Sequence, residues 1–235
     1  MNELLWLLFL FVNFGFVLFA FWFFGREGLF VWVAVAAILA NIQVLKTVEL
    51  FGFVATLGNI IYGSSFLVTD ILNEFYGPKE ARKAVWIGFF TLISSVVIMQ
   101  IALLFVPHSS DFIQGALVSI FSFLPRVAFA SVVAYIISQM HDVWAYNFWR
   151  NIFPYPHQIW IRNNFSTMVS QLIDSVLFCV LAFVGVFPAE VFWSILLTTY
   201  FLKWLVAAAD TPFIYLARFI YLKKVKKEPE KGPVR

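Results

Sequence analysis

Three groups of residues in this chain have the types and spacing to do chemistry. Asp70 and Glu74 stand four residues apart within Asn59 to Gly77, so a helix places both carboxylates on one face, one turn apart. They fall near the C-terminal end of that helix, where the macrodipole disfavours negative charge. The second group is Asn163, Thr167, Ser170 or Gln171, and Asp174, which recur at three- and four-residue spacing along an otherwise apolar run. In hydrocarbon such a stripe must face protein or water. Helix–helix adhesion accounts for Ser166, Thr167 and Ser170, but poorly for a carboxylate as deep as Asp174. The third group is Lys203 and Asp210, seven residues apart on one helical face. Lys203 either closes a buried ion pair with Asp174 or Asp70 or meets a substrate.

Two prolines bear on these groups. Pro212 follows Asp210 and is expected to end or kink its helix, exposing backbone carbonyls, as at binding sites in transporters. Pro125-Arg126, inside the fifth apolar run, is a second such place, and its arginine calls for an acidic partner.

Other chemistries lack their residues. His108, His141 and His157 fall at loops or helix ends without metal-ligand spacing, and Cys179 is the single cysteine. Neither a metal site, a disulfide framework nor a cofactor is expected. No glycine–lysine phosphate loop and no nucleophile elbow occurs in the chain. Asp70 with Asp174 as an intramembrane aspartyl pair lacks the Gly-Asp context such enzymes use. The chain reads as a non-enzyme.

The elements that carry these residues are membrane helices. Of 235 residues, 62% are hydrophobic and 12% charged, with a mean hydropathy of +0.88; soluble domains carry about 25% charged residues. Apolar runs fall at Leu4–Phe24, Leu29–Lys46, Phe51–Leu72, Ala84–Val106, Leu117–Met140, Phe165–Phe187 and Val191–Ile214. The expected architecture is all-α, a polytopic transmembrane bundle of six or seven spanning helices. The second run is the weakest, ending in Asn41, Gln43, Lys46 and Glu49. It is an ordinary helix end, or is broken or shared with the first.

Residues 1–220 are expected to form a single transmembrane helical domain and 221–235 a basic tail. The first run lacks a basic flank and a cleavage site, so it is expected to be a retained helix. Arg26, Lys79, Arg82, Lys83, Arg150, Arg162 and the tail with Arg218, Lys223, Lys224, Lys226 and Lys227 fall on one side, with Lys46 opposite. By the positive-inside rule the N-terminus is outside and the C-terminus cytoplasmic, the tail anchoring to anionic lipid.

Asn59-Ile60, Gly63, Phe66-Leu67, Thr69-Asp70-Ile71-Leu72, Glu74 and Tyr76-Gly77 together resemble the signature of the queuosine precursor transporter family. These are bacterial inner-membrane proteins grouped with vitamin-uptake transporters. Ser138-Gln139 with Asp142-Val143, then Arg162-Asn163-Asn164 through Asp174-Ser175, then Asp210-Thr211-Pro212 with Tyr215 match its other segments in order. The resemblance covers about Asn41 to Arg218 and leaves the role of the 150–161 loop open.

It implies multi-pass residence in the inner membrane and import of 7-deazaguanine bases for tRNA modification: the cyano or aminomethyl precursor, or queuine. The residues suit that cargo. A guanine-like edge offers adjacent N–H donors to a carboxylate, and Asn or Gln can satisfy its carbonyl. Phe66 or Tyr62 could stack on the ring. Asp70, Glu74, Asn164, Gln171, Asp174, Lys203 and Asp210 are the candidate substrate-binding residues; Glu74 has a second explanation, as the answer to Lys79, Arg82 and Lys83. The expected partners are this small molecule and the lipid bilayer, without direct nucleic-acid contact; a homo-oligomer stays open. Two other functions stay open: a substrate-binding subunit of a vitamin importer with a separate ATPase, and a structural or assembly protein whose polar stripes only join helices.

Overall fold

The computed structural model describes residues 1–122, 124–185 and 188–227. Its helices are α1 (Asn2–Phe24), α2 (Arg26–Gln43), α3 (Asn59–Tyr76), α4 (Pro78–Leu103), α5 (Gln114–Phe121), α6 (Leu124–Ile152), α7 (Ile159–Phe183) and α8 (Ala189–Lys227). Among the described residues six of these, α1, α2, α4, α6, α7 and α8, are long and apolar enough to cross a membrane. Their outward faces carry large apolar side chains, such as Phe11, Phe90 and Phe129, which suits lipid.

The central helix is α3, which lies against α1, α2, α4, α6 and α8. Every residue from Asn59 to Asn73 is buried except Tyr62. It is too polar to count among the six, yet its 18 residues give a length of about 27 Å, close to the hydrocarbon thickness. A helix walled by others can carry polar groups that lipid would reject. Glycines set its boundaries and spacing. Gly77, at φ 88, turns the chain between α3 and α4, and Pro78 opens α4, a position where its missing N–H costs nothing. Gly63 lets α8 approach, since a Cβ there would overlap the Val206 side chain.

The structure corrects several expectations about boundaries. The third apolar run does not form one helix from Phe51. Thr47–Leu50 (β1) and Phe53–Thr56 (β2) pair instead as an antiparallel hairpin, and Phe51 and Gly52 both take positive φ. That is the two-residue turn whose twist matches paired strands, and α3 starts only at Asn59. The first two runs are separate helices, turned at Gly25 with φ 63. The fifth run divides into α5 and α6. Pro125 is therefore in the first turn of α6 rather than inside a span, where proline is tolerated. Arg126 binds the Leu181 and Val184 carbonyls at 3.0 and 2.8 Å, the open end of α7, and not an acid. α8 continues through Pro212 to Lys227. The first residues of the basic tail extend this helix, and 228–235 lie outside the described residues, as does Phe187.

Candidate functional site

A partly open cavity of about 510 Å³ lies at the hairpin end of the bundle, among α2, α3, α6, α7 and α8. Its walls include Tyr62, Tyr135 and Phe178, with the side chains of Asn41 and Thr199 as polar points. Gly88 on α4 makes room for Tyr135, since a Cβ there would meet the phenol oxygen.

The floor is a buried polar cluster joining four helices. Asp174 on α7 pairs with Lys203 on α8. It also accepts hydrogen bonds from the Tyr62 hydroxyl on α3 and from Ser138 Oγ on α6 at 3.2 Å. Asp174 is 2% exposed and Lys203 6%. Isolated charges at that depth are strongly disfavoured, so each charge needs the other and the flanking donors. The Lys203 ammonium also lies 4.8 Å from the Tyr62 ring centroid and 6.0 Å from that of Phe178, within cation–π reach. Both ends of the pair line the cavity. A carboxylate and an ammonium side by side on an aromatic wall can read a flat heterocycle with adjacent donors and a carbonyl.

A second polar layer lies deeper, in α3, α6, α7 and α8. Moving from the floor, Tyr62 leads to Asp70 on α3, Tyr135 to Asp142 on α6, Asp174 to Thr167 on α7 and Lys203 to Asp210 on α8. These steps of seven or eight residues correspond to about 10–12 Å of helix. Asp70 accepts from Thr167 Oγ1 at 3.2 Å, stands beside Asp142 and faces Asp210. Asp210 accepts from Asn163 Nδ2 at 2.6 Å. The layers are linked through Gln139, which donates to Ser65 Oγ at 3.1 Å and accepts from Thr69 Oγ1 at 3.2 Å.

A third cluster closes the far end. Arg162, 1% exposed, pairs with Glu74, whose other oxygen accepts from the Tyr146 hydroxyl at 3.2 Å. Arg162 also holds the Phe153 carbonyl at 2.7 Å, pinning the 150–161 loop, and Arg150 holds the Asn73 carbonyl at 2.9 Å. Glu74 thus answers Arg162 rather than the basic residues of the following turn.

Of the seven residues singled out from sequence, the cavity takes Asp174 and Lys203. Asp70 and Asp210 meet in the deeper layer. Gln171 is fully buried, with neither amide atom hydrogen-bonded to a described residue. Asn164 joins α7 to α8 through Thr211 Oγ1 at 2.7 Å, and Glu74 belongs to the end cluster. Phe66 is buried away from the cavity wall that Tyr62 supplies. His141 is inside α6, not at its end, and bonds Ser170 Oγ at 2.9 Å. Sequence reasoning missed Tyr135 and the hydroxyl role of Tyr62. The seven-residue recurrence across the helices was the available signal for both layers.

Residues 56–217 match the family model described as "Putative vitamin uptake transporter". A "Probable queuosine precursor transporter" of Bacillus subtilis strain 168 is 50% identical over 217 residues, covering 92% of this chain and 95% of that protein. The "Queuosine precursor transporter" of Escherichia coli K12 is 28% identical over 72% of this chain and 74% of its own length. A Haemophilus influenzae protein with the same "Probable" title is 29% identical over 57% of this chain and 54% of its own. No solved structure matches the chain significantly.

Proposed function

This chain belongs to the queuosine precursor transporter family, and from that premise we propose that it imports a 7-deazaguanine base bound at the Asp174–Lys203 floor of the cavity. It is a multi-pass protein of the bacterial inner membrane. The observation that carries the site is the buried Asp174–Lys203 pair beneath aromatic walls in a space of about 510 Å³, within the roughly 300–1,000 Å³ of small-molecule sites. The base's two adjacent N–H groups go to Asp174 and its carbonyl to Lys203, while Tyr62, Tyr135 and Phe178 pack on the rings. Placing the basic turns in the cytoplasm makes the cavity open outward, with the deeper layer and the Glu74–Arg162 cluster on the exit side.

The test is uptake of labelled 7-cyano- and 7-aminomethyl-7-deazaguanine by the purified protein in liposomes, together with queuosine in tRNA of cells blocked in synthesis. Uptake by the chain alone, lost in Asp174→Asn when normalised to the folded protein in the membrane, is the expected result. Uptake that appears only with an added ATPase module would make it a binding subunit. Normal queuosine in cells without the gene would leave a structural role.

A further inference from the structure

The deeper layer has more acids than its surroundings can balance. Lys203 is taken by Asp174 and Arg162 by Glu74; Arg150 holds a backbone carbonyl and His141 a serine. Asp70, Asp142 and Asp210 are each at most 1% exposed and form no ion pair with a described residue. The other charged or titratable groups nearest them along the same helices are Glu74 on α3, His141 and Tyr146 on α6, Arg162 and Asp174 on α7, and Lys203 on α8, of which Tyr146 acts on Asp70. No base among these is left over.

The hydrogen bonds are equally one-sided. Asp70 Oδ1, both oxygens of Asp142, Asp210 Oδ2 and the Asn163 Oδ1 beside it are buried without a well-formed hydrogen bond from a described residue. All five are acceptors. Around Asp142 lie the Asp70 carboxyl and the Ser166, Thr167 and Ser170 hydroxyls, and those hydroxyls donate elsewhere. Buried acceptors without donors are rare and costly, and carboxylates at membrane depth mark ion or proton relays. The layer therefore calls for a species that brings donors and positive charge. Among the described residues no group of three His, Cys, Asp or Glu could hold a metal ion.

We propose that Asp70, Asp142 and Asp210 form a proton-binding site that couples base uptake to proton entry. The proton relieves the repulsion among the three carboxyls and supplies the missing donor between them. The loaded layer can then admit the base from the Asp174–Lys203 floor, and both leave on the exit side. This rests on the transport reading above, and its test keeps the two apart.

The protein is reconstituted in liposomes with voltage clamped by potassium and valinomycin, and labelled neutral 7-cyano-7-deazaguanine is supplied outside. An external pH about two units lower supports up to roughly a hundredfold accumulation at one proton per base. Accumulation well above the equilibrium level, abolished by a protonophore, is expected. Uptake that only equilibrates, or is driven by a sodium gradient at equal pH, overturns the coupling while leaving transport intact. No uptake under any gradient takes down the transport reading, and the coupling with it. The ratio of uptake with and without the gradient should fall to about one in Asp142→Asn and in Asp210→Asn. A wild-type ratio in both variants overturns the assignment to this layer, and the wild-type measurement stands even if one variant fails to fold.

Discussion

Lys203 and Asp174, 29 residues apart on neighbouring helices, share a buried ion pair that is also the floor of the cavity. One contact therefore joins α7 to α8 and, in the proposed site, would present both charges to a bound base. Stability and binding at this pair are separable by experiment.

Removing one partner strands a buried charge, at a cost of about 3–5 kcal/mol. Asp174→Asn and Lys203→Met should each lower the melting temperature in detergent and abolish binding. The double variant should recover much of the stability and none of the binding. Additive losses in melting temperature would show that the pair is not coupled in the folded protein.

Tyr62 offers its hydroxyl to Asp174 and its ring to Lys203. Tyr62→Phe keeps the ring and should cost about 1.5–3 kcal/mol of stability, the worth of a hydrogen bond to a charged group. Tyr62→Leu also removes the stacking surface, a further 0.5–1.5 kcal/mol or roughly two- to tenfold in affinity. Binding isotherms on the two variants separate these effects. Equal affinity in both would remove the ring from the site.

Glu74 holds Arg162 and receives Tyr146, and does not itself line the cavity. Glu74→Gln should destabilise the protein by about 3–5 kcal/mol while substrate affinity of the folded fraction stays within about threefold. Thermal melting followed by binding on the surviving fraction checks this. A tenfold loss of affinity at unchanged melting temperature would place Glu74 in the site after all.

Gly88 meets the Tyr135 hydroxyl across the α4–α6 contact. Gly88→Ala should push the phenol ring towards the cavity and reduce uptake, at about 1–3 kcal/mol for the overpacking. Tyr135→Phe in the same chain should relieve the closest part of the clash, because the oxygen nearest the new methyl is gone, while Val33 Cγ1 at 2.9 Å and the ring carbon at 3.1 Å remain. Failure of that second change to restore stability would locate the strain elsewhere.

Several features were legible from residue order alone. Apolar runs of membrane length, charge on alternate turns and polar stripes at helical spacing depend only on local periodicity and on the cost of polar groups in lipid. Those rules yielded the all-α bundle and the stripe on α7. They failed at the hairpin, because Phe51 to Thr56 is as apolar as a span and only Gly52 hints at its turn. They also failed at Arg126, whose partners are carbonyls that no sequence pattern displays.

Which charge meets which was decided only in three dimensions. From spacing, Asp174 and Asp70 were equal partners for Lys203, and Glu74 could answer any nearby lysine. Packing α3 inside the other helices gave Lys203 to Asp174, gave Arg162 to Glu74 and left Asp70 with Asp142 and Asp210. Periodicity fixes the face and depth of a residue on its own helix. The neighbouring face depends on how helices approach one another, here through Gly63 against Val206, and that contact sorts the acids into a cavity floor, a deeper layer and an end cluster.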